Sequence, residues 1–268
     1  MKYRIFFSCL FIWFNPQIAT ASEFKCNQTL RMAIGTQREP FVIKQKNTTI
    51  SGFDIDLLRS VVKQSGCKLK LINNKDLTWE KRLSMIKKGE LDIASGASWD
   101  NSRAEWAHYS FPYRNEYAGI YIKRSDENRF ANKTLPELLS GSFTLGVTKA
   151  NTYGSKIDTL LASHKNQLYF VTDSSDFYPL LSQGKIDGFI GYPVTEIIQL
   201  IRNNLDDKFS LHYETVIKTG QVHYLLSKET ISPELFNAFN SALVALRSNG
   251  GYDKIVKKYS ISYGISTW

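Results

Sequence analysis

The sequence predicts an α/β protein made of two similar lobes with a cleft between them. Short apolar runs typical of buried strands alternate with longer stretches that have the periodicity of helices. This alternation covers residues 30–97 and recurs over residues 135–203 without obvious sequence identity. Alternating strands and helices indicate parallel sheets, and the recurrence indicates that the chain builds two of them.

The first unit has the order strand, helix, strand, helix, strand. Its predicted strands are LRMAIG (30–35), LKLIN (69–73) and LDIASG (91–96). Its predicted helices are FDIDLLRSVVKQSG (53–66), which ends at a glycine, and TWEKRLSMIKKGE (78–90), which begins at a candidate N-cap threonine. Right-handed crossovers would place the three strands side by side in one parallel sheet.

The second unit repeats this order after an extended stretch, HYSFPYRNEYAGIYIKR (108–124). Its predicted strands are LLSGSFTLGVTK (138–149), QLYFVTD (167–173) and IDGFIGY (186–192). Its predicted helices are TYGSKIDTLLASH (152–164), SSDFYPLLSQGK (174–185) and VTEIIQLIRNN (194–204). The tail, residues 232–261, predicts two further helices that are broken at the sequence NGG.

The first 21 residues have the pattern of a secretory signal peptide. A basic start, MKYR, is followed by IFFSCLFIWF, an apolar run of ten residues, and by the small-x-small sequence Ala19-Thr20-Ala21. Ten apolar residues are too few to span a bilayer, and no other stretch of the sequence reaches about 18. We therefore expect cleavage after Ala21 and a soluble protein in the periplasm.

The charge of the chain is basic but evenly spread. The formal net charge of +9 becomes +7 when Lys2 and Arg4 leave with the signal peptide. Scattered lysines and arginines do not predict a nucleic-acid partner, and they indicate solubility with a mild attraction for anions. The four histidines have no metal-binding spacing, so the sequence predicts no metal and no other cofactor.

Two cysteines, Cys26 and Cys67, remain after cleavage, and each stands just before a predicted strand. If those strands are neighbours in a parallel sheet, both cysteines lie at the same end of it and can form a disulfide. An oxidising compartment favours this disulfide over two free thiols. The closed loop of about 40 residues would stabilise the fold by roughly 4 kcal/mol.

Six short motifs resemble those of a known protein family. They are EPF (39–41), GFDIDLL (52–58), the W…GELDI segment (79–93), the SR…SFPY segment (102–113), GKIDGFIG (184–191) and LRSNGGYDKIVKKY (246–259). In this order and spacing they resemble the periplasmic solute-binding proteins of amino-acid-type ABC transporters, family 3. The resemblance covers nearly the whole chain after residue 21.

The resemblance implies a periplasmic-binding-protein-like fold of type II, in which two hinge strands join the lobes and the cleft closes on a ligand. Lobe 1 would take residues 22–121 and 219–268, and lobe 2 would take residues 122–218. The implied function is that of a substrate-binding protein, not an enzyme, which acts as a monomer. It would bind a small polar carboxylate-bearing solute, an amino acid or a related molecule, and deliver it to an inner-membrane ABC permease.

The segment SWDNSR (98–103) follows the third predicted strand, and open α/β sheets bind ligands beyond such strand ends. In amino-acid-binding relatives, an arginine of a Thr-x-x-Arg motif clamps the α-carboxylate of the ligand here, and the resemblance gives this role to Arg103. Asp100 replaces the threonine of the motif. It can cap the helix that follows or accept a bond from a ligand ammonium.

Two departures from the family pattern concern the ammonium group of an amino acid. Relatives that bind α-amino acids usually hold it with an aspartate where this chain has Tyr192, and some carry another acid where this chain has Gly35. The resemblance therefore leaves two kinds of ligand open. One is a carboxylate without an α-amino group, and the other is an amino acid held differently, by Asp100 or Glu196.

Further candidate binding residues come from their position alone. Beside the end of the third strand stand Ala97, Ser98 and Trp99. In the loop after the first strand stand Arg38, which would favour a second anionic group on the ligand, and Phe41. At the predicted start of a helix in the second unit, where free N–H groups suit a carboxylate, stand Thr148, Asn151 and Thr152.

Two other classes of function remain open. A few cyclohexadienyl dehydratases share this fold, and such an enzyme would need Asp100, Glu196 or His223 as its acid or base. A sensor receptor without a permease would use the same cleft. Turnover of prephenate or arogenate would distinguish the enzyme, and a neighbouring permease or sensor-kinase gene would distinguish transport from signalling.

Overall fold

The computed structural model describes residues 26–45 and 49–263, and the predicted signal peptide lies outside the described residues. The strands are β1 (Thr29–Ile34), β2 (Ile43–Lys44), β3 (Ile50–Ser51), β4 (Lys68–Asn73), β5 (Ile93–Ser98), β6 (Ala107–Tyr109), β7 (Arg114–Lys123), β8 (Leu145–Thr148), β9 (Leu168–Val171), β10 (Gly188–Gly191) and β11 (Phe209–Ser227). The helices are α1 (Phe53–Gln64), α2 (Trp79–Lys87), α3 (Asn101–Ala104), α4 (Glu127–Phe130), α5 (Leu135–Leu139), α6 (Ser155–Ser163), α7 (Phe177–Ser182), α8 (Pro193–Arg202), α9 (Pro233–Ser248) and α10 (Gly251–Tyr263).

The first lobe begins with two parallel strands whose starts are tied together. β1 pairs with β4, and Thr29 lies opposite Lys68. Cys26 and Cys67 stand just before these strands with their Cα atoms 4.9 Å apart, and a disulfide joins them. The predicted disulfide is therefore confirmed.

The core of the first lobe draws on both ends of the chain. Buried apolar side chains of β1 and α1 pack against those of β11, α9 and α10 in one cluster. At its centre the rings of Tyr113 and Tyr224 stack with their centroids 4.2 Å apart, and Phe239 packs edge-on against Tyr224. The two C-terminal helices thus complete the lobe that the N-terminal strands begin.

Two long strands cross between the lobes. β7 and β11 form an antiparallel ladder, in which the register shifts between His212 and Ile217 and again between Lys218 and Gly220. Beyond this ladder, β11 pairs with β5 and β6 of the first lobe, and β7 pairs with β10 of the second. Each strand therefore belongs to both lobes, and the irregular register falls where the chain passes between them.

The second lobe stands on the parallel strands β10, β8 and β9, with β10 next to β7. Its two apolar clusters draw all their buried side chains from residues 118–209. The predicted α/β fold of two lobes with two hinge strands is confirmed, and the boundaries given for the lobes stay a prediction. None of the helices in the described part of the chain is long and apolar enough to cross a membrane.

Two local predictions differ from the structure. Residues 138–149 are predicted as a strand, but α5 ends inside this run and β8 takes only its second half. A capping box of Thr134 and Glu137 starts that helix. The pattern predicts no element over residues 205–231, where β11 runs for 19 residues, because the burial of this hinge strand does not alternate regularly.

Removing the disulfide should destabilise the protein without changing its fold. Cys26 and Cys67 are 41 residues apart in sequence, and a loop of this length gives a stabilisation of roughly 4 kcal/mol in the chain-entropy model. We expect the Cys26→Ala/Cys67→Ala variant to lose about 3–4 kcal/mol of unfolding free energy in urea denaturation. Reduced wild-type protein should match the variant, and equal stability of the oxidised and reduced forms would contradict this account.

Candidate functional site

A cleft of about 110 Å³ lies between the two lobes. It is bounded by the carboxyl ends of β1 and β5 in the first lobe and of β8, β9 and β10 in the second. The predicted binding residues that line it are Arg38, Ser98, Arg103, Thr148, Asn151, Thr152 and Tyr192. Those that lie outside its lining are Phe41, Ala97, Trp99 and Asp100.

Arg103 reaches the cleft from the short helix α3, which begins where β5 ends. Asp100 caps this helix, because its Oδ1 accepts bonds from the backbone N–H of Arg103 at 3.0 Å and from the hydroxyl of Ser102 at 2.5 Å. The buried guanidinium of Arg103 donates to the carbonyl of Ala150 in the opposite lobe at 2.5 Å and to that of Ser98 at 3.4 Å. Among the described residues, this guanidinium has no carboxylate as an ion-pair partner.

The four predicted residues outside the lining support the lobe instead. Trp99 is 55 % exposed, and its ring centroid is 4.5 Å from that of Tyr109. The ring of Phe41 is buried 3.9 Å beneath the guanidinium carbon of Arg114. Ala97 is fully buried in the first-lobe core. For these residues and Asp100, a ligand contact stays a prediction.

The second lobe faces the cleft with a loop, residues 148–154, and not with a helix start. Helix α6 begins only at Ser155, after Gly154 with a φ of 88°, a conformation that favours glycine. Ala150 also has a positive φ, 60°. Its carbonyl oxygen, which receives the arginine bond described above, also accepts a hydrogen bond from Nε1 of Trp79 at 3.2 Å.

Further contacts hold the lobes together around the cleft. The hydroxyl of Thr36, just after β1, donates to the carboxylate of Asp173 in the second lobe at 2.6 Å. Arg202 of α8 forms an ion pair with the buried carboxylate of Glu39 in the first lobe. With the bonds to the Ala150 carbonyl, these contacts enclose the cleft from both sides.

Sequence reasoning missed Arg82, which lies on α2 and lines the cleft. Its guanidinium carbon is 5.0 Å from the ring centroid of Trp79, and burial together with the nearby charge of Arg38 lowers its pKa to about 10. The helical pattern places Arg82 at a polar position, so the sequence predicts a solvent-exposed side chain for Arg82. No pattern in the sequence marks Arg82, because only the folded chain brings it beside Gly35, where a Cβ atom would lie 3.3 Å from its Nε.

Glu196 of α8 lies in the wall of the cleft and is buried. The phenol of Tyr178 donates to its carboxylate at 2.5 Å. Burial raises the pKa of Glu196 to about 7, although the bond from Tyr178 and the charge of Arg38 act in the opposite direction. At neutral pH this carboxyl is therefore protonated in about half of the molecules and adds little negative charge to the cleft.

Four buried polar atoms in the cleft wall have no hydrogen-bond partner among the described residues. They are Nε of Arg38, Nε of Arg82, and the hydroxyl oxygens of Thr152 and Thr195. Nearly all buried polar groups in folded proteins have a partner, and one left unpaired costs about 1–3 kcal/mol. Two of these residues come from each lobe, but the four atoms themselves are buried, so a molecule in the cleft would pair with them only after their side chains move.

Comparison with known proteins agrees with this architecture. A probable histidine-binding protein of Neisseria gonorrhoeae is 21 % identical over 253 residues, which cover 92 % of this chain and 88 % of that protein. The probable amino-acid-binding protein YxeM of Bacillus subtilis (strain 168) is 23 % identical over 245 residues, with coverages of 89 % and 86 %. The structure of an ancestral arginine-binding protein bound to arginine matches with a TM-score of 0.72 and 21 % identity, and the match covers 86 % of this chain and 97 % of that one.

The family assignment rests on a match along almost the whole described chain. The family model of bacterial extracellular solute-binding proteins, family 3, matches residues 30–262. The resemblance carried by the six motifs is therefore confirmed, and the relatives named above are binding proteins. The chain belongs to the bacterial extracellular solute-binding proteins of family 3.

Proposed function

We propose that the protein binds a small polar carboxylate-bearing solute in the interlobe cleft and delivers it to an inner-membrane ABC permease. The observation that carries this proposal is an interlobe cleft lined by the buried Arg103 and by four residues, two from each lobe, whose buried polar atoms lack a partner among the described residues. Relatives named for binding histidine or amino acids support an amino acid or a related molecule as the solute. The signal-peptide pattern of residues 1–21 supports action in the periplasm, and we propose that the protein acts there as a monomer.

Arg103 is the proposed anchor for the carboxylate of the solute. Its guanidinium is buried and donates to the carbonyl groups of Ser98 and Ala150. It has no ion-pair partner among the described residues, although its charge acts on the nearby carboxylates of Asp100 and Asp158. A carboxylate is a stronger acceptor for a guanidinium than a carbonyl, and it can take two parallel bonds from the planar fork. A ligand carboxylate would therefore replace the bond to Ala150 at a gain in electrostatic energy.

The acids that an α-ammonium group could meet in the cleft are Asp54, Asp173 and Glu196. Tyr192, at the position of the usual acid, only accepts a bond from the amide of Asn151 at 3.4 Å. The carboxylate of Asp54 is paired with Arg114 at 3.1 Å. Asp173 and Glu196 also line the cleft and have no ion-pair partner among the described residues, and an ammonium beside Glu196 would favour its ionised form. An α-ammonium group could therefore pair with an acid of the second lobe while Arg103 holds the carboxylate.

Delivery to a permease would use the hinge. The proposed lobes, residues 22–121 with 219–268 and residues 122–218, would rotate about the β7–β11 ladder, where the register is irregular. A solute that bonds to both walls stabilises the closed arrangement over the open one by its differential affinity. The permease would then distinguish the occupied protein from the empty one by its shape.

A thermal-shift screen of amino acids, organic acids and small peptides tests this function. A true ligand at 100 times its dissociation constant adds about 2.7 kcal/mol to the stability, and Tm should rise by several degrees. Arg103→Ala should abolish the rise, because the anchor is lost. Arg129→Ala removes an arginine of the second lobe whose side chain is 59 % exposed, and this control should keep the full rise. An undiminished rise in Arg103→Ala would remove Arg103 from the site, and a screen without any rise would contradict the function.

Prephenate and arogenate in the same screen separate binding from catalysis. A solute-binding protein should release both compounds unchanged after long incubation, and chromatography of the mixture measures this directly. Consumption of either compound, lost again in Glu196→Gln, would replace the transport function with a dehydratase.

Glu196 should make the stability depend on pH in one direction. Its pKa is about 7 in the folded protein against 4.5 for an ordinary glutamate, so the folded state binds more protons between these values. Protonated Glu196 therefore makes its full contribution to the free energy of unfolding below about pH 4.5. This contribution is lost as the pH rises through 7. Relative to Glu196→Gln, wild-type protein should lose roughly 2 kcal/mol of unfolding free energy between pH 5 and pH 8 in urea denaturation.

The exposed Glu90 provides the matched control for this measurement. Glu90→Gln should keep the pH dependence of the wild-type protein, because an exposed carboxylate titrates alike in the folded and unfolded chains. If wild-type protein and Glu196→Gln gave parallel curves from pH 5 to pH 8, the raised pKa of Glu196 would be wrong.

A further inference from the structure

Two arginines of the first lobe occupy space in the cleft wall that two glycines leave open. A Cβ atom on Gly35 would lie 3.3 Å from Nε of Arg82, and one on Gly96 would lie 3.2 Å from Nη1 of Arg38. A Cβ atom on Gly35 would also clash with the carbonyl oxygen of Leu77, and Gly96 has a φ of 79°, so the backbone itself requires glycine at both positions. The two guanidinium groups lie close to these glycines in one wall of the cleft.

The acidic groups nearest to Arg38 are occupied by a buried cluster at the hinge. Oε1 of Glu116 accepts bonds from Arg114 at 3.0 Å and from Arg38 at 3.2 Å. Asp54 pairs with the same Arg114 at 3.1 Å. Both carboxylates therefore form ion pairs with arginines other than Arg82. Neither of them pairs with Arg82.

The remaining acids of the cleft are in the second lobe. Asp173 accepts bonds from the hydroxyls of Thr36 and Ser175, and Glu196 accepts one from Tyr178. Neither forms an ion pair with an arginine of the cleft in the described structure. Arg103 is buried and Arg82 is half-buried. Within the described chain, no carboxylate forms an ion pair with either of these two cleft arginines.

These two arginines both line the cleft, and both lie near the ring of Trp79. Their guanidinium carbons lie 5.0 Å (Arg82) and 5.9 Å (Arg103) from the ring centroid of the same residue, Trp79. We propose, on the basis of the function proposed above, that the solute carries two carboxylates. One binds to Arg103, and the other binds to Arg82 with the unpartnered Nε of Arg38 beside it.

Charge explains why a dicarboxylate suits this cleft better than other solutes. Each carboxylate would pair with a guanidinium that has no ion-pair partner among the described residues, and a direct ion pair offsets part of the cost of burying that cation. A solute with a cationic side chain would bring its charge towards Arg82 and Arg38 and would be repelled. An acidic amino acid and a dicarboxylic acid share the required chemistry, and they differ only in the ammonium group.

Isothermal titration of the wild-type protein provides the first test. The dicarboxylates are L-glutamate, L-aspartate, succinate and glutarate, and the matched monocarboxylates are L-glutamine and L-asparagine, with L-arginine as the cationic solute. We expect at least one dicarboxylate to bind about 10–100 times more tightly than every monocarboxylate, as a charge-assisted bond allows. Preference for L-glutamate over glutarate would assign the acidic amino acids, and the reverse would assign the dicarboxylic acids.

Variants of α2 provide the second test. Arg82→Met keeps most of the side-chain volume but removes the charge, so it should lose the preference for dicarboxylates and keep the weaker binding of monocarboxylates. Lys87→Met removes an exposed charge from the same helix and should leave all affinities within about twofold. Arg82→Lys should recover part of the preference, because the charge returns without the planar fork.

The outcomes separate this inference from the function on which it rests. Tightest binding of L-glutamine, L-asparagine or L-arginine, or a dicarboxylate preference that survives in Arg82→Met, would overturn the dicarboxylate while the binding function stands. Failure of every compound in this panel and in the wider screen would overturn both.

Discussion

The carboxylate of Glu116 holds together the charges on which the cleft depends. It lies on hinge strand β7, and its Oε1 accepts bonds from Arg114 and Arg38. Arg114 also pairs with Asp54 at the start of α1 and covers the ring of Phe41. Arg114 and its two acids are almost fully buried, so the loss of any one of them would leave an uncompensated charge. The cluster therefore fixes the loop after β1 against the hinge and holds Arg38 in the cleft wall.

This cluster decides both the charge of the cleft and the way in which the lobes can move. It engages the acids of the first lobe, Asp54 and Glu116, so the cations Arg82 and Arg103 on that side of the cleft stay without an ion-pair partner among the described residues. The contacts that join the lobes across the cleft include hydrogen bonds to the carbonyl of Ala150 and from Thr36 to Asp173, one ion pair, and the guanidinium of Arg38 over the ring of Tyr192. Hydrogen bonds of this kind contribute about 0.5–1.5 kcal/mol each. A solute that bonds to both walls can therefore shift the balance between open and closed lobes.

The sequence predicts those strands, helices and caps that are determined by residues close together along the chain. The alternation of strands and helices predicts the two lobes, and the short segment SWDNSR contains both the strand end and the cap that bring Arg103 to the cleft. The disulfide follows from two cysteines that precede neighbouring strands. Arg82 could not be predicted, because only the folded chain brings this helix residue beside Gly35. Strand β11 was missed because its passage between lobes interrupts the alternation of buried and exposed residues.

The most direct measurement is a crystal structure of the protein with the tightest-binding solute from the screen. The account predicts a solute between the lobes whose acceptor atoms lie within hydrogen-bond distance of Nε of Arg38 and Arg82, with a carboxylate on Arg103. The hydroxyls of Thr152 and Thr195 should contact it from the other wall. A solute bound outside the cleft, or one that leaves these four atoms unpartnered, would contradict the account.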